Sequence, residues 1–215
     1  MQIKGMMYDV GRDQRGDDEK FYQELIKRLS GYGYNMLMLN LEYRFCFPSH
    51  PEIGMPDSLT PEMVRRLDAF AQSYGVELVP FMNCAGHCEG IGMTEKYNYL
   101  CADDMQSNSV EQLCVNSAEA EQFMLDLFDD LYGCFSSKYF HIGGDEIRGL
   151  AKLYPDMDPD ERMRIGVNFL NRMIADVKSK GKIPMMWGDM FVRVCSENES
   201  AYLENTLSSE VRTLS

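Results

Sequence analysis

Two adjacent carboxylates behind a pair of glycines form the most chemically suggestive string in this sequence, His141-Ile142-Gly143-Gly144-Asp145-Glu146. Glycines at the end of an apolar run let the backbone bend and approach a ligand closely. Like charges held together in a cleft cannot both ionise easily, so one stays protonated near neutral pH and can act as a general acid. Cleavage of a glycosidic bond needs such a pair. The same Asp-Glu could instead open a helix, whose dipole favours acidic residues. Other polar groups also follow short apolar runs: Asp9 and Arg12, Glu42 and Arg44, Asn83 and His87, Trp187 and Asp189.

What must position these groups is an alternation of apolar runs with amphipathic stretches. The runs are Ile3 to Val10, Asn35 to Leu41, Val76 to Met82, Tyr139 to Ile142 and Ile183 to Trp187. Between them the 3.6-residue period predicts helices. One starts near Asp17 and carries Phe21, Leu25, Ile26 and Leu29; a second opens with Thr60 as cap and Pro61 at its first position, burying Met63, Val64, Leu67, Phe70 and Ala71. A third starts near Ser117 with Phe123, Met124, Leu127, Phe128 and Leu131. The last follows Asp158-Pro159-Asp160-Glu161, similar to a capping box, with Ile165, Phe169, Met173 and Ile174. The polar stretch from Cys84 to Asn116 is too long for an ordinary connection and is a candidate functional loop.

Runs that are apolar throughout indicate strands covered on both faces, hence a parallel sheet. A doubly wound sheet and a (β/α)8 TIM-type barrel share this cadence. Polar groups at the C-terminal end of every strand favour the barrel, where those ends converge on one mouth, over an open sheet with one crevice at its switch point. A barrel has eight strands in about 250 residues. Only about the first five βα units are visible, and Glu197 to Ser215 reads as helix or loop leading to where a sixth strand should begin. The expectation is one partial barrel domain over residues 1–215, cut short, with exposed strand edges through which it could self-associate.

Composition narrows the function. Lys and Arg number 21 against 34 Asp and Glu, for a net charge of −13. That balance argues against nucleic acid and against an anionic membrane surface as partners. Hydrophobic content of 45% is ordinary for a globular chain. No apolar run approaches the roughly 20 residues of a membrane span, and the first residues lack the apolar core of a signal peptide. The odd number of cysteines, 7, reads as reduced thiols and a cytoplasmic location. The 17 methionines are most simply core filler.

Gly-Gly-Asp-Glu also occurs in diguanylate cyclases, but Ile147 stands where their phenylalanine would be, and Leu100 to Leu113 lacks their metal-binding pattern. The string as a whole resembles the His-x-Gly-Gly-Asp-Glu of glycoside hydrolase family 20 β-N-acetylhexosaminidases, at the fourth barrel strand. Lys4 to Arg12 resembles that family's first strand, and Asn35 to Phe47 its second. Pro80 through Gly86-His87-Cys88-Glu89 is similar to the Gly-His-x-Glu of the hexosaminidase D-like branch, and Trp187-Gly188-Asp189-Met190 to the Trp-x-Asp-Met at the fifth strand. The likeness keeps motif order over nearly the whole chain. Tyr43, with Glu42 adjacent, stands where the family usually has an acidic residue, and Asn83 where many members carry a carboxylate.

The resemblance implies exo-hydrolysis of terminal N-acetylhexosamine residues from glycans or glycosides by a substrate-assisted retaining mechanism, without metal or cofactor. By the same resemblance Glu146 is the acid and base, Asp145 orients the 2-acetamido group, and His87 supports Glu146 in a polar network. Arg12 clamps sugar hydroxyls, Trp187 walls the acetamido pocket, and Asp189 and Glu89 are candidates for further hydroxyl contacts. Each has a plainer alternative. Arg12 could be a surface charge, Trp187 core packing, and His87 a loop histidine or, with Cys84 and Cys88, part of a zinc site lacking a fourth ligand. Because the family's later tyrosine, tryptophans and carboxylates belong to strands six to eight, a truncated or degenerate barrel that at most binds sugar is the alternative reading of the whole chain.

Overall fold

The apolar runs become parallel strands, each trimmed by a residue or two. The structure, a computed structural model, describes residues 2–11, 18–101, 112–147, 150, 154–188 and 212–214. The chain divides into two compact units, Met1–Met82 with Asp126–His141 and Asn83–Leu125 with Ile142–Ser215.

In the first unit, β1 (Gly5–Asp9), β2 (Met36–Asn40), β3 (Glu77–Phe81) and β4 (Tyr139–His141) pair in sequence order, all parallel. The register is level: Asp9 pairs with Asn40, Asn40 with Phe81, and Phe81 with His141. Strand β2 is buried throughout, as an apolar run between two neighbours should be. Strand β1 departs from the expected two-faced burial. It pairs only with β2 among the described residues and leaves Met7 37% exposed.

Helix α1 (Glu19–Gly31) begins where the Asp18 carboxylate accepts from the Phe21 N–H at 3.1 Å. Its buried stripe is Tyr22, Ile26 and Leu29, so Tyr22 takes the innermost place expected of Phe21. Helix α2 (Pro61–Ser73) has the cap and first-turn proline expected of Thr60 and Pro61. It buries Asp68, whose carboxylate accepts from the Gln72 side chain and the Ser136 N–H, alongside Val64, Leu67 and Ala71.

In the second unit, α3 (Glu89–Gly92) and a short 3-10 turn (Asn98–Leu100) lie in the long stretch after β3. An antiparallel bridge joins Cys101 to Leu113. Helix α4 (Ala118–Tyr132), whose residues from Asp126 on belong to the first unit, buries all five residues expected of it, Phe123, Met124, Leu127, Phe128 and Leu131. Helix α5 (Pro159–Ser179) starts at Asp158, whose carboxylate accepts from the N–H groups of Asp160 and Glu161. Strand β5 (Ile183–Trp187) bonds to the residues that continue β4, with Ile142 N–H donating to Met185 C=O and Trp187 N–H to Gly143 C=O, each at 2.9 Å. Strand β6 (Arg212–Leu214) pairs parallel with β5, so a strand lies within the stretch read from the sequence as helix or loop.

Sequential parallel order without reversal is the arrangement of an incomplete (β/α)8 barrel and not of a doubly wound sheet, whose order reverses at a switch point. Among the described residues, no helix is long and apolar enough to cross a membrane.

Candidate active site

Both strands that deliver the acidic and basic side chains end in backbone that few residues adopt. Gly143 and Gly144 hold φ of +71° and +88° immediately after β4, and Glu146 follows at +48°. After β3, His87 holds +53°. Left-handed backbone at a non-glycine residue costs about 1–3 kcal/mol and persists where surrounding contacts over-determine it. Two close approaches supply those contacts. A Cβ on Gly143 would meet Asn83 Oδ1 at 2.0 Å, and one on Gly86 would meet the Asp145 carbonyl oxygen at 2.7 Å. The Gly-His turn and the Gly-Gly-Asp-Glu bend are therefore packed backbone to backbone, which only glycine permits.

That packing gathers four of the side chains singled out from the sequence. His87 Nε2 lies 3.4 Å from Asp145 Oδ2 and 3.4 Å from Glu146 Oε2, while Nδ1 lies 3.7 Å from Glu89 Oε1. The His87 side chain is 16% exposed, Asp145 24% and Glu146 44%, so Glu146 is the most open of the three. Hydrogen bonding to Asp145 and then to Glu89 raises the His87 pKa to about 10, against the opposing effect of its burial. The imidazole is thus a cation at neutral pH. Asp145 Oδ1 is buried with no hydrogen-bond partner among the described residues.

The surroundings hold this group in place. The Ala85 carbonyl accepts from the Leu113 N–H at 2.8 Å and the Gln112 side chain at 2.9 Å. Cys88 Sγ donates to the Gly86 carbonyl at 3.4 Å. Cys84 is fully buried, and loss of hydration together with the nearby Asp145 charge keeps its thiol protonated. Trp187 is half-buried at the end of β5, tied to the bend through its N–H to the Gly143 carbonyl. Arg12 and Asp189 lie outside the described residues.

Asn83 was visible in the sequence as a polar residue at a strand end, standing where many members of the resembled family carry a carboxylate; it is 4% exposed and forms the floor under Gly143. The signal available was its place directly after an uninterrupted apolar run, where a buried amide needs a reason. In the first unit, Asn40 Nδ2 donates to Asp9 Oδ1 at 3.3 Å and to Glu42 Oε1 at 3.1 Å. Glu42 is 5% exposed at φ +44°, and a Cβ on Gly11 would meet its Oε2 at 2.6 Å. His141 is fully buried, its ring 4.1 Å from that of Phe81.

Comparison with known proteins gives the same direction. The chain is 27% identical over 144 residues to the lacto-N-biosidase of Bifidobacterium bifidum, covering 62% of this chain and 13% of that protein. Its fold matches the family 20 exo-β-N-acetylglucosaminidase of Vibrio harveyi, solved with N-acetylglucosamine, with a TM-score of 0.74 at 18% identity over 97% of this chain and 37% of that one. It matches the Streptomyces plicatus N-acetyl-β-hexosaminidase, solved with thio-NAglucal, with a TM-score of 0.68 at 25% identity over 85% of this chain and 38% of that one. The chain therefore spans well under half the length of each relative. The sequence pattern of the glycosyl hydrolase family 20 catalytic domain matches residues 2–208, and the chain belongs to that family.

Proposed function

We propose that this chain is the catalytic portion of an exo-acting β-N-acetylhexosaminidase of the hexosaminidase D-like branch, forming one domain and working in the cytoplasm on N-acetylhexosamine-containing glycans or glycosides. The observation that carries the reading is the pair Asp145 and Glu146, both 3.4 Å from one cationic imidazole, at a bend that two left-handed glycines enforce. Membership of family 20 and the folds of its sugar-bound relatives support it.

In this reading the sugar's 2-acetamido oxygen attacks C1 while the bond from C1 to the leaving oxygen breaks. Glu146 transfers its proton to that oxygen, leaving an oxazolinium intermediate and a Glu146 carboxylate. Water then attacks C1, gives its proton to Glu146 and restores the acetamide, so configuration is retained. Asp145 accepts the acetamido N–H and offsets the positive charge on the ring. Arg12 is assigned the hydroxyl clamp, Trp187 the apolar wall and Asp189 a further hydroxyl contact. The nucleophile belongs to the substrate, so the reaction calls for no metal or cofactor.

The test is release of 4-nitrophenol from 4-nitrophenyl N-acetyl-β-D-glucosaminide by the intact protein. Glu146→Gln should lower kcat by about 10²–10⁴-fold. Parent-like turnover in that variant would remove Glu146 from the acid role. A parent protein that binds N-acetylglucosamine without any turnover would establish the sugar-binding alternative instead.

A further inference from the structure

Glu89, a candidate from the sequence for a further hydroxyl contact, has its Oε1 3.7 Å from His87 Nδ1. His87 has a carboxylate against each ring nitrogen, Glu89 Oε1 at 3.7 Å from Nδ1, and Asp145 Oδ2 and Glu146 Oε2 each at 3.4 Å from Nε2. A neutral imidazole carries one N–H, and its other nitrogen would turn a lone pair toward an anion; only the imidazolium donates on both sides. The three carboxylates come from two segments, Glu89 from α3 and Asp145 and Glu146 from the residues after β4. The left-handed backbone at His87 turns the chain so that Glu89, two residues on, lies beside the ring it follows.

We infer that Glu89 is a positioning residue that, together with Asp145, holds His87 as an imidazolium into the alkaline range, so that one fixed cation orients the neighbouring Asp145 and Glu146 carboxylates and offsets their mutual repulsion. This rests on the hydrolase reading above. Glu89 acts through His87 and makes no contact with the sugar. The carboxylate that supports the histidine at Nδ1 then comes from the same turn, two residues away, while those at Nε2 come from the bend after β4.

The experiment compares the intact parent protein with Glu89→Gln and Glu89→Asp. His87 is followed by 15N NMR of histidine-labelled protein, assigned by the resonance lost in His87→Gln, and kcat and KM are measured on the chromogenic glycoside across pH. In the parent, His87 should titrate near 10. In Glu89→Gln that titration should fall by about one to two pH units, and kcat should drop at alkaline pH while KM changes less than about twofold. Glu89→Asp, which retains the charge, should restore most of both. A Glu89→Gln protein with raised KM, unchanged kcat and an unmoved His87 titration would overturn the inference and return Glu89 to sugar contact. Should Glu89→Gln not fold, an Asp variant in which the titration is unmoved but KM rises would overturn it equally. If the parent hydrolyses nothing, the hydrolase reading fails, and the titration alone still decides whether Glu89 sets the charge of His87.

Discussion

Replacing Gly143 by alanine tests whether close packing fixes the bend beneath the two carboxylates. Gly143 sits at φ +71°, a region that costs a residue with a Cβ about 1–2 kcal/mol. The new Cβ would also stand 2.0 Å from Asn83 Oδ1 and 3.0 Å from Asn83 Cα, far inside van der Waals contact. Asn83 is buried, so either its backbone or the bend must move, and overpacking of that kind costs about 1–3 kcal/mol. The expected loss for Gly143→Ala is therefore about 2–5 kcal/mol. Gly181 provides the control, because it holds φ +72° with nothing within 4 Å of an added Cβ. Gly181→Ala should lose only the conformational part, about 1–2 kcal/mol. Urea unfolding of both variants at unchanged m-value reads the difference as a shift in midpoint. Equal losses at the two positions would refute the claim that Asn83 and Gly143 are in obligatory contact. Hydrolysis should fall with the Gly143 variant as well, since a displacement of about 1 Å at reacting groups can cost about 10²-fold.

The pH dependence of stability follows from His87. Its pKa is raised from 6.5 to about 10, so its charge stabilises the fold fully below pH 6.5, and that contribution is lost as pH rises through about 10. His87→Gln should flatten the alkaline decline of unfolding free energy between those limits; a slope equal to the parent's would contradict the assignment of charge. At the start of α5, Asp158→Ala removes the acceptor for two first-turn N–H groups and should lower stability by about 1 kcal/mol. Asp158→Asn should retain most of it, and a neutral Asp158→Ala would show that the cap contributes nothing.

Much of the architecture was legible because it is written in local chemistry. Thr60-Pro61 and Asp158-Pro159 start α2 and α5 because a cap oxygen and a pre-set proline φ act within one helical turn. Runs without polar interruption mark strands with neighbours on both sides, and β2 obeys that rule. Strand β1 departs from it because burial of a strand depends on what lies beside it, which its own residues do not state. The same holds in α1, where Tyr22 and Phe21 are chemically alike and only the direction of the helix selects the one that is buried.

For the site, the sequence by itself supplied the residue types: the double glycine, the two carboxylates, the histidine and the glutamate two residues beyond it. Tertiary structure alone decided their partners. That His87 is charged follows from carboxylates meeting both of its nitrogens, two of them more than fifty residues away along the chain. That Asn83 matters follows from its oxygen occupying the space a side chain at Gly143 would need. Neither is a property of any segment, because charge state and steric exclusion arise between side chains that only the folded backbone brings within a few ångströms.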